Sequence, residues 1–307
     1  MQAAVARSAQ EIRDVNTRYH DITAADYDAK WGIDFGTVGQ GQVLGKLHKL
    51  LDPALVAAGF AEALEVGAGT GYFGLNLLRA GVIGELTCAD ISPGMLAALA
   101  GNAARLGVDV GTAVADAEAL PFDDQSFDLV FGHAVLHHLP HLKRAFSEIH
   151  RVLRPGGRIV FAGEPSRVGD LLARLPKRAA VIASPAWRAL VGAAAAPANG
   201  AAHDDPEAND LERVVDIHAF APRDLAELAG AAGFAEVTVR GEELTANWFG
   251  WFNRGLEASA HPQEIPVRWR NYAFRGYLAL QRLDATVLEP RLPAAVFYNL
   301  LLSARRP

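Results

Sequence analysis

The stretch "LEVGAGTG" (Leu64 to Gly71) sets three glycines at alternate positions directly behind a short apolar run. Ala63–Val66 suits a buried strand, and Tyr72–Arg79 suits the opening of a helix packed on a sheet. Glycines at such a junction make a tight turn and let the backbone approach a ligand closely. The alternation continues beyond it. Further strands are expected at Glu85–Ala89, Val110–Ala115, Phe127–Phe131 and Arg158–Ala162, with helices at Pro93–Leu106 and His141–Leu153 between them. Pro93 fits a first helical turn, and "RPGG" at Arg154–Gly157 stops one helix and starts a strand. This pattern predicts an α/β fold with a doubly wound, Rossmann-like parallel sheet, whose ligands lie at the carboxyl ends of the strands.

Composition narrows the function. Half of the 307 residues are hydrophobic, enough for a sizeable core, and a net charge of −6 argues against a general phosphate-binding surface. The single cysteine, Cys88, allows no internal disulfide and fits a reducing compartment. Met1 to Asp14 is mixed and charged, without the apolar core of a signal peptide. No apolar run reaches the roughly 20 residues of a membrane span. The expectation is a soluble, cytoplasmic protein.

Three acids follow three successive strands. Glu65 stands two residues before the first glycine, where it would repel a dinucleotide pyrophosphate and welcome a cationic or zwitterionic ligand. Asp90, ending the second strand, can accept hydrogen bonds from ribose hydroxyls. Asp116, after the third, can accept from an adenine amino group. Together they describe a site for a nucleoside carrying positive charge and no phosphate, as S-adenosylmethionine does.

At this point the sequence resembles the class I S-adenosylmethionine-dependent methyltransferases, in particular the small-molecule group called methyltransferase type 11. The carriers are "LEVGAGTGYF", "CADISPGML", "ADAEALPFDDQSFDLVFGHAVLHHL" and "RVLRPGGRIVFAGEP", in order and spacing. The resemblance implies a seven-stranded sheet whose last strand is antiparallel, a role for "AVFYNLLLS" (Ala295–Ser303), and S-adenosyl-L-methionine as cofactor. Glu65 and the backbone at Gly67, Ala68, Gly69 and Gly71 would then hold the methionine portion and sugar edge. Asp90 would bind the ribose, Ile91 and Met95 would lie against the adenine, and Asp116 and Ala117 would meet its edge. His133 would lie near the methionine end, with Tyr19 and Tyr27 folding over the cofactor. Residues 1–50 read as a helical arm or cofactor lid and 51–307 as the catalytic domain. Insertions 165–216 and 245–292 read as acceptor-binding lid segments.

Methyl transfer is an in-line displacement that needs a base only when the acceptor must lose a proton. His137 and His138 in "GHAVLHHLPH" are candidate bases for a hydroxyl, and Glu164, ending the fifth strand, is a second acceptor-facing candidate. No acid or thiolate cluster accompanies the histidines in the sequence and zinc spacing is not matched, so no metal is expected.

The acceptor should be read by the insertions, since function lies in the site rather than the fold. Thr245 to Leu292 carries eight aromatics, suited to a helical core or to a lid over an apolar acceptor. Ser166 to Leu190 has five basic residues, Lys177 and Arg178 among them, against one acid, with interleaved apolar side chains. That composition suits a surface that lies on anionic membrane, or a plain solvated helix pair. A nucleic-acid acceptor is not expected. Gly132-His133-Ala134-Val135 stands where the amino-methylating DNA enzymes of the family carry a polar-Pro-Pro-aromatic signature. The expected activity is methylation of a small-molecule or lipid-like acceptor at oxygen. Carbon methylation of a quinone-type ring, or a partner subunit that binds cofactor without catalysis, remain as alternatives.

Overall fold

Local sequence fixes the ends of most elements. In the computed structural model, which describes residues 8–196, 206–212 and 214–307, Ser8 caps α1 (Ala9–Thr23) through a reciprocal box with Glu11. The short α2 (Tyr27–Trp31) closes on Gly32 in the left-handed conformation, and α3 (Thr37–Leu50) and α4 (Pro53–Ala58) follow. The alternating part then runs β1 (Phe60–Val66), α5 (Tyr72–Arg79), β2 (Ile83–Asp90), α6 (Pro93–Leu106), β3 (Gly111–Val114), β4 (Phe127–His133), α7 (Leu142–Val152) and β5 (Leu153–Pro165). Beyond it lie α8 (Arg167–Val191), α9 (Pro206–Glu212), α10 (Pro222–Ala231), β6 (Ala235–Glu242), α11 (Thr245–Glu257), α12 (Val267–Leu283) and β7 (Asn299–Arg305).

The seven strands form one sheet in the order β3-β2-β1-β4-β5-β7-β6. Neighbours from β3 to β5 pair in parallel, and β7 runs antiparallel to both β5 and β6. The expected mostly parallel sheet with an antiparallel last strand is what the fold shows. The closing strand starts later than Ala295, because Pro293 leads into a 3-10 turn at Ala294–Val296 and Phe297 is buried before pairing begins.

Alternation along the strands serves two faces. Leu300 and Leu302 join Val130, Phe146, Ile149 and Leu225 under α7 and α10. Leu301 instead joins Phe131, Val160, Leu47, Phe73 and Leu99 under α3, α5 and α6. The second half of the N-terminal arm is thus core, with Val43 and Leu47 fully buried. A satellite cluster of Ala180, Trp187, Leu256 and Ile265 joins α8 to α11 and the segment after it.

Segment 165–216 is organised differently from a helix pair. Residues 167–191 form one 25-residue helix, capped by the Ser166 hydroxyl, with Pro176 and Pro185 inside it. Residues 197–205 and 213 of this segment lie outside the described residues, as do 1–7 of the arm.

Candidate active site

The strand order reverses between β1 and β4, and a cavity of about 860 Å³ opens at the carboxyl ends there. That is near the top of the range for a single bound ligand, so it has room for a cofactor and an acceptor. Gly67 sits at φ +64°, and a Cβ there would fall 2.2 Å from Val135 Cγ2, so the turn closes only with glycine.

The strand-end acids meet at this floor in different states. Asp90 accepts from Gly69 N at 2.8 Å through Oδ2 and from Ser92 N at 2.9 Å through Oδ1, which fixes both oxygens and leaves each a lone pair. Burial raises its pKa, opposed by His20 and by those two amides. Glu65 is 1% exposed and accepts from Gly74 N at 3.1 Å. Burial pushes its carboxyl well up, against the pull of Gly74. A ligand cation beside it would favour its charged form, which a pyrophosphate would not. Asp116 is already spent in part: Arg13 Nε donates to Oδ2 at 2.6 Å and Glu118 N to Oδ1 at 2.9 Å.

Of the other residues expected at the cofactor, Gly67, Ala68, Gly69, Ile91, Ala117 and His133 line the cavity, as do Tyr19 and Tyr27. Two do not. Met95 is fully buried on the inner face of α6, and Gly71 caps α5 at φ +90°, where it serves the turn and the packing of Leu75. Arm and floor are joined directly. Ser92 Oγ and Gly94 N donate to Asp21 of α1, at 2.6 and 2.9 Å. Burial pushes both Tyr19 and Tyr27 up, so their hydroxyls stay neutral.

The histidines occupy the turn after β4. Ala134 adopts φ +55°, rare for a residue with a side chain, and starts a tight turn through Leu136–His138. Glu164 holds that turn. Its Oε1 accepts from Val135 N and Leu136 N, at 2.9 and 3.0 Å, and its Oε2 from His137 N at 3.1 Å and His137 Nδ1 at 2.9 Å. The carboxylate is fully buried and does not line the cavity. The expectation of an acceptor-facing base at Glu164 is therefore corrected. Its contact with Nδ1 orients the His137 imidazole from behind. Burial opposes protonation of His137, but the hydrogen bond and charge of Glu164, with Asp216, outweigh it and raise the pKa. His138 is lowered, by burial first and then by His137, and its Nδ1 donates to Val215 O at 3.2 Å. His133 packs against Phe73 and is lowered to about 4, chiefly by burial.

An acid does join the histidines, contrary to the sequence reading. Asp216 Oδ1 lies 3.5 Å from both His137 Nε2 and His138 Nδ1. One ligand atom from each of the three lies within 4.8 Å of the others. With His138 Nδ1 already donating to a carbonyl, the group falls short of the four ligands of a structural zinc site.

The remaining wall comes from α2, the second insertion and the residues that flank it. Trp31, Glu243, Trp251, Arg254, Tyr277 and Tyr298 line it. Glu243 adopts φ +63° and accepts from Tyr277 Oη and Gln281 Nε2, each at 2.8 Å, so a strained backbone positions both side chains. Apart from the aromatics of the second insertion and Trp31 in the arm, nothing in the local sequence marks these positions.

Comparison with known proteins agrees with this geometry. A family model described as a methyltransferase domain matches residues 64–161. A malonyl-[acyl-carrier protein] O-methyltransferase of Methylococcus capsulatus is 38% identical over 144 residues, covering 44% of this chain and 52% of the relative. A ubiquinone/menaquinone biosynthesis C-methyltransferase of Bordetella parapertussis is 40% identical over 113 residues, covering 36% and 43%. The chain thus spans about half the length of the curated relatives it matches. Phosphoethanolamine N-methyltransferase 2 of Haemonchus contortus, solved with S-adenosylhomocysteine, superposes with a TM-score of 0.57 at 17% identity, over 98% of this chain and 61% of that one. That likeness is one of fold. Residues 64–161 are thus similar to the methyltransferase domains of S-adenosylmethionine-dependent enzymes.

Proposed function

We propose that the protein transfers a methyl group from S-adenosylmethionine to an oxygen of a small or lipid-like acceptor, with His137 as the base. The observation that carries this reading is His137, which lines the same cavity as Glu65 and Asp90 just beyond β4 and is held from behind by buried Glu164. When bound, the cofactor supplies an activated methyl on a sulfonium. Asp90 holds the ribose and Glu65 the cationic methionine end, while α1 and α2 cover them with Tyr19 and Tyr27. His137 Nε2 takes the acceptor's hydroxyl proton as the oxygen attacks. The oxygen-methylating relative supports this choice. The carbon-methylating relative, and the aromatic side chains Trp31, Trp251 and Tyr298, favour a planar ring methylated at carbon as the second reading.

The site should bind S-adenosylhomocysteine saturably in calorimetry and leave NAD unbound, and the protein should yield S-adenosylhomocysteine on turnover. NAD bound more tightly would sink the cofactor assignment, and cofactor binding without turnover of any hydroxyl or quinone acceptor would favour the non-catalytic subunit.

Membrane contact through α8 belongs to the same proposal. No described helix is long and apolar enough to cross a membrane. Leu171, Leu175 and Ile182 are exposed at helical spacing on the side away from buried Ala173 and Ala180, with exposed Arg174 and Arg178 beside them. Lys177 turns inward, its Nζ 3.9 Å from the Trp251 ring centroid. Such a face suits the anionic inner surface of a membrane facing the cytoplasm. R174E/R178E should abolish cosedimentation with anionic vesicles without lowering the melting temperature. Equal binding to neutral and anionic vesicles would refute the contact.

A further inference from the structure

Arg254, on α11, faces the cavity with its hydrogen-bonding capacity unspent. Among the described residues its guanidinium forms no ion pair and no side-chain hydrogen bond. It is held by aromatic faces instead, its central carbon 4.9 Å from the Trp31 ring centroid and 5.9 Å from that of Trp251. Neither ring accepts a conventional hydrogen bond from it, so the guanidinium N–H donors stay available.

The residue keeps accessible surface toward the cavity, yet enough protein crowds it to lower its pKa by desolvation, with Tyr277, Glu257 and Tyr298 pulling the other way. Because Arg254 is exposed, water serves its donors until an anion takes that place. The neighbouring charges do not supply that anion. Glu257 lies one turn further along α11 and makes no ion pair with Arg254 or Arg270, and burial pushes its carboxyl up toward the neutral form. Glu243 is committed to Tyr277, Gln281 and Asn299. Arg270 donates to the carbonyl of Pro262.

We propose that Arg254 is the receptor for an anionic group on the acceptor, a carboxylate or a phosphate monoester, gripped by the fork of donors between Trp31 and Trp251. This rests on the methyltransferase reading above and narrows it to acceptors that carry such a group. The two indoles come from the arm and from the second insertion, so an anion bound there would tie these segments together over the cavity. Planar, two-pronged donation matches both anions, and a lysine would supply charge without the fork.

The test uses the full chain, saturated with S-adenosylhomocysteine or free of it, titrated calorimetrically with octanoate, octyl phosphate and octan-1-ol. The wild type should bind at least one anion on the order of 10-fold or more tightly than the alcohol, the scale of hydrogen bonds to a charged group. A preference for octanoate would identify the carboxylate, and one for octyl phosphate the phosphate ester. R254Q should lose that preference with its S-adenosylhomocysteine affinity and melting temperature unchanged, and R254K should keep part of it. Anions bound no better than octan-1-ol, or a preference that survives in R254Q, would overturn the assignment. So would an R254Q that loses S-adenosylhomocysteine affinity instead, which would give the guanidinium to the cofactor's own carboxylate. Failure of the wild type to bind S-adenosylhomocysteine would strike the methyltransferase reading itself. Binding of S-adenosylhomocysteine without any anion preference strikes only Arg254.

Discussion

The two walls of the cavity are held in place by different means. On the cofactor wall, backbone amides fix the carboxylates, Gly69 and Ser92 holding Asp90 and Gly74 holding Glu65, and behind it the turn after β4 binds buried Glu164. On the opposite, insertion-built wall the polar groups are held by other side chains, as Glu243 is by Tyr277 and Gln281 and Arg254 by two indoles. A backbone-held group keeps its place as long as the strands do. A side-chain-held group can be exchanged without disturbing the sheet, which is how one fold can serve many acceptors.

The comparison breaks first at His137, where the two walls meet. H137A should lower turnover about 10²–10⁴-fold while S-adenosylhomocysteine affinity changes little. A general base must be deprotonated, so the wild-type rate should rise with pH and level off above the raised His137 pKa. E164Q removes the acid that raises it, so the inflection should move to lower pH. Near wild-type turnover in H137A would leave transfer to positioning alone.

Next in size is the ionic cluster that fastens α3 to the sheet edge beneath the insertion wall. Lys46 donates to buried Glu242, which also takes Lys49 Nζ at 2.9 Å. Burial would raise Glu242, but Lys46 and Lys49 bring it down to about 2. K46M leaves buried Glu242 with Lys49 as its remaining partner, so it should cost up to about 3–5 kcal/mol in chemical denaturation, the range for breaking a buried pair. Because the folded pKa is depressed, the stability due to Glu242 is present above its ordinary value of 4.5 and lost as pH falls toward 2. A wild-type acid-unfolding profile matched by K46M would show the cluster to be ornamental.

What the sequence discloses follows the same division. The acids of the cofactor wall stand at the ends of successive strands, so strand periodicity and the glycine turn locate Glu65 and Asp90 together. Glu164 also lies at a strand end, but its orientation depends on a backbone turn formed by Ala134 at positive φ, which residue type does not signal. Met95 faces the core instead of the ligand, since a helix residue near a motif can do either. Asp216, Glu243 and Arg254 come from separate elements, and only folding brings them to one cavity. Trp31 and Trp251 are visible as aromatics, yet their role as faces for a guanidinium exists only in three dimensions.

The smallest effect tests the division of labour most directly. S-adenosylhomocysteine should be titrated calorimetrically into wild type, D90A and H137A under one condition. D90A removes an acceptor of ribose hydroxyls and should weaken binding by about 1.5–3 kcal/mol, whereas H137A should bind as the wild type does. Equal affinity in D90A and wild type, or a loss confined to H137A, would contradict the assignment of the strand-end acids to the cofactor.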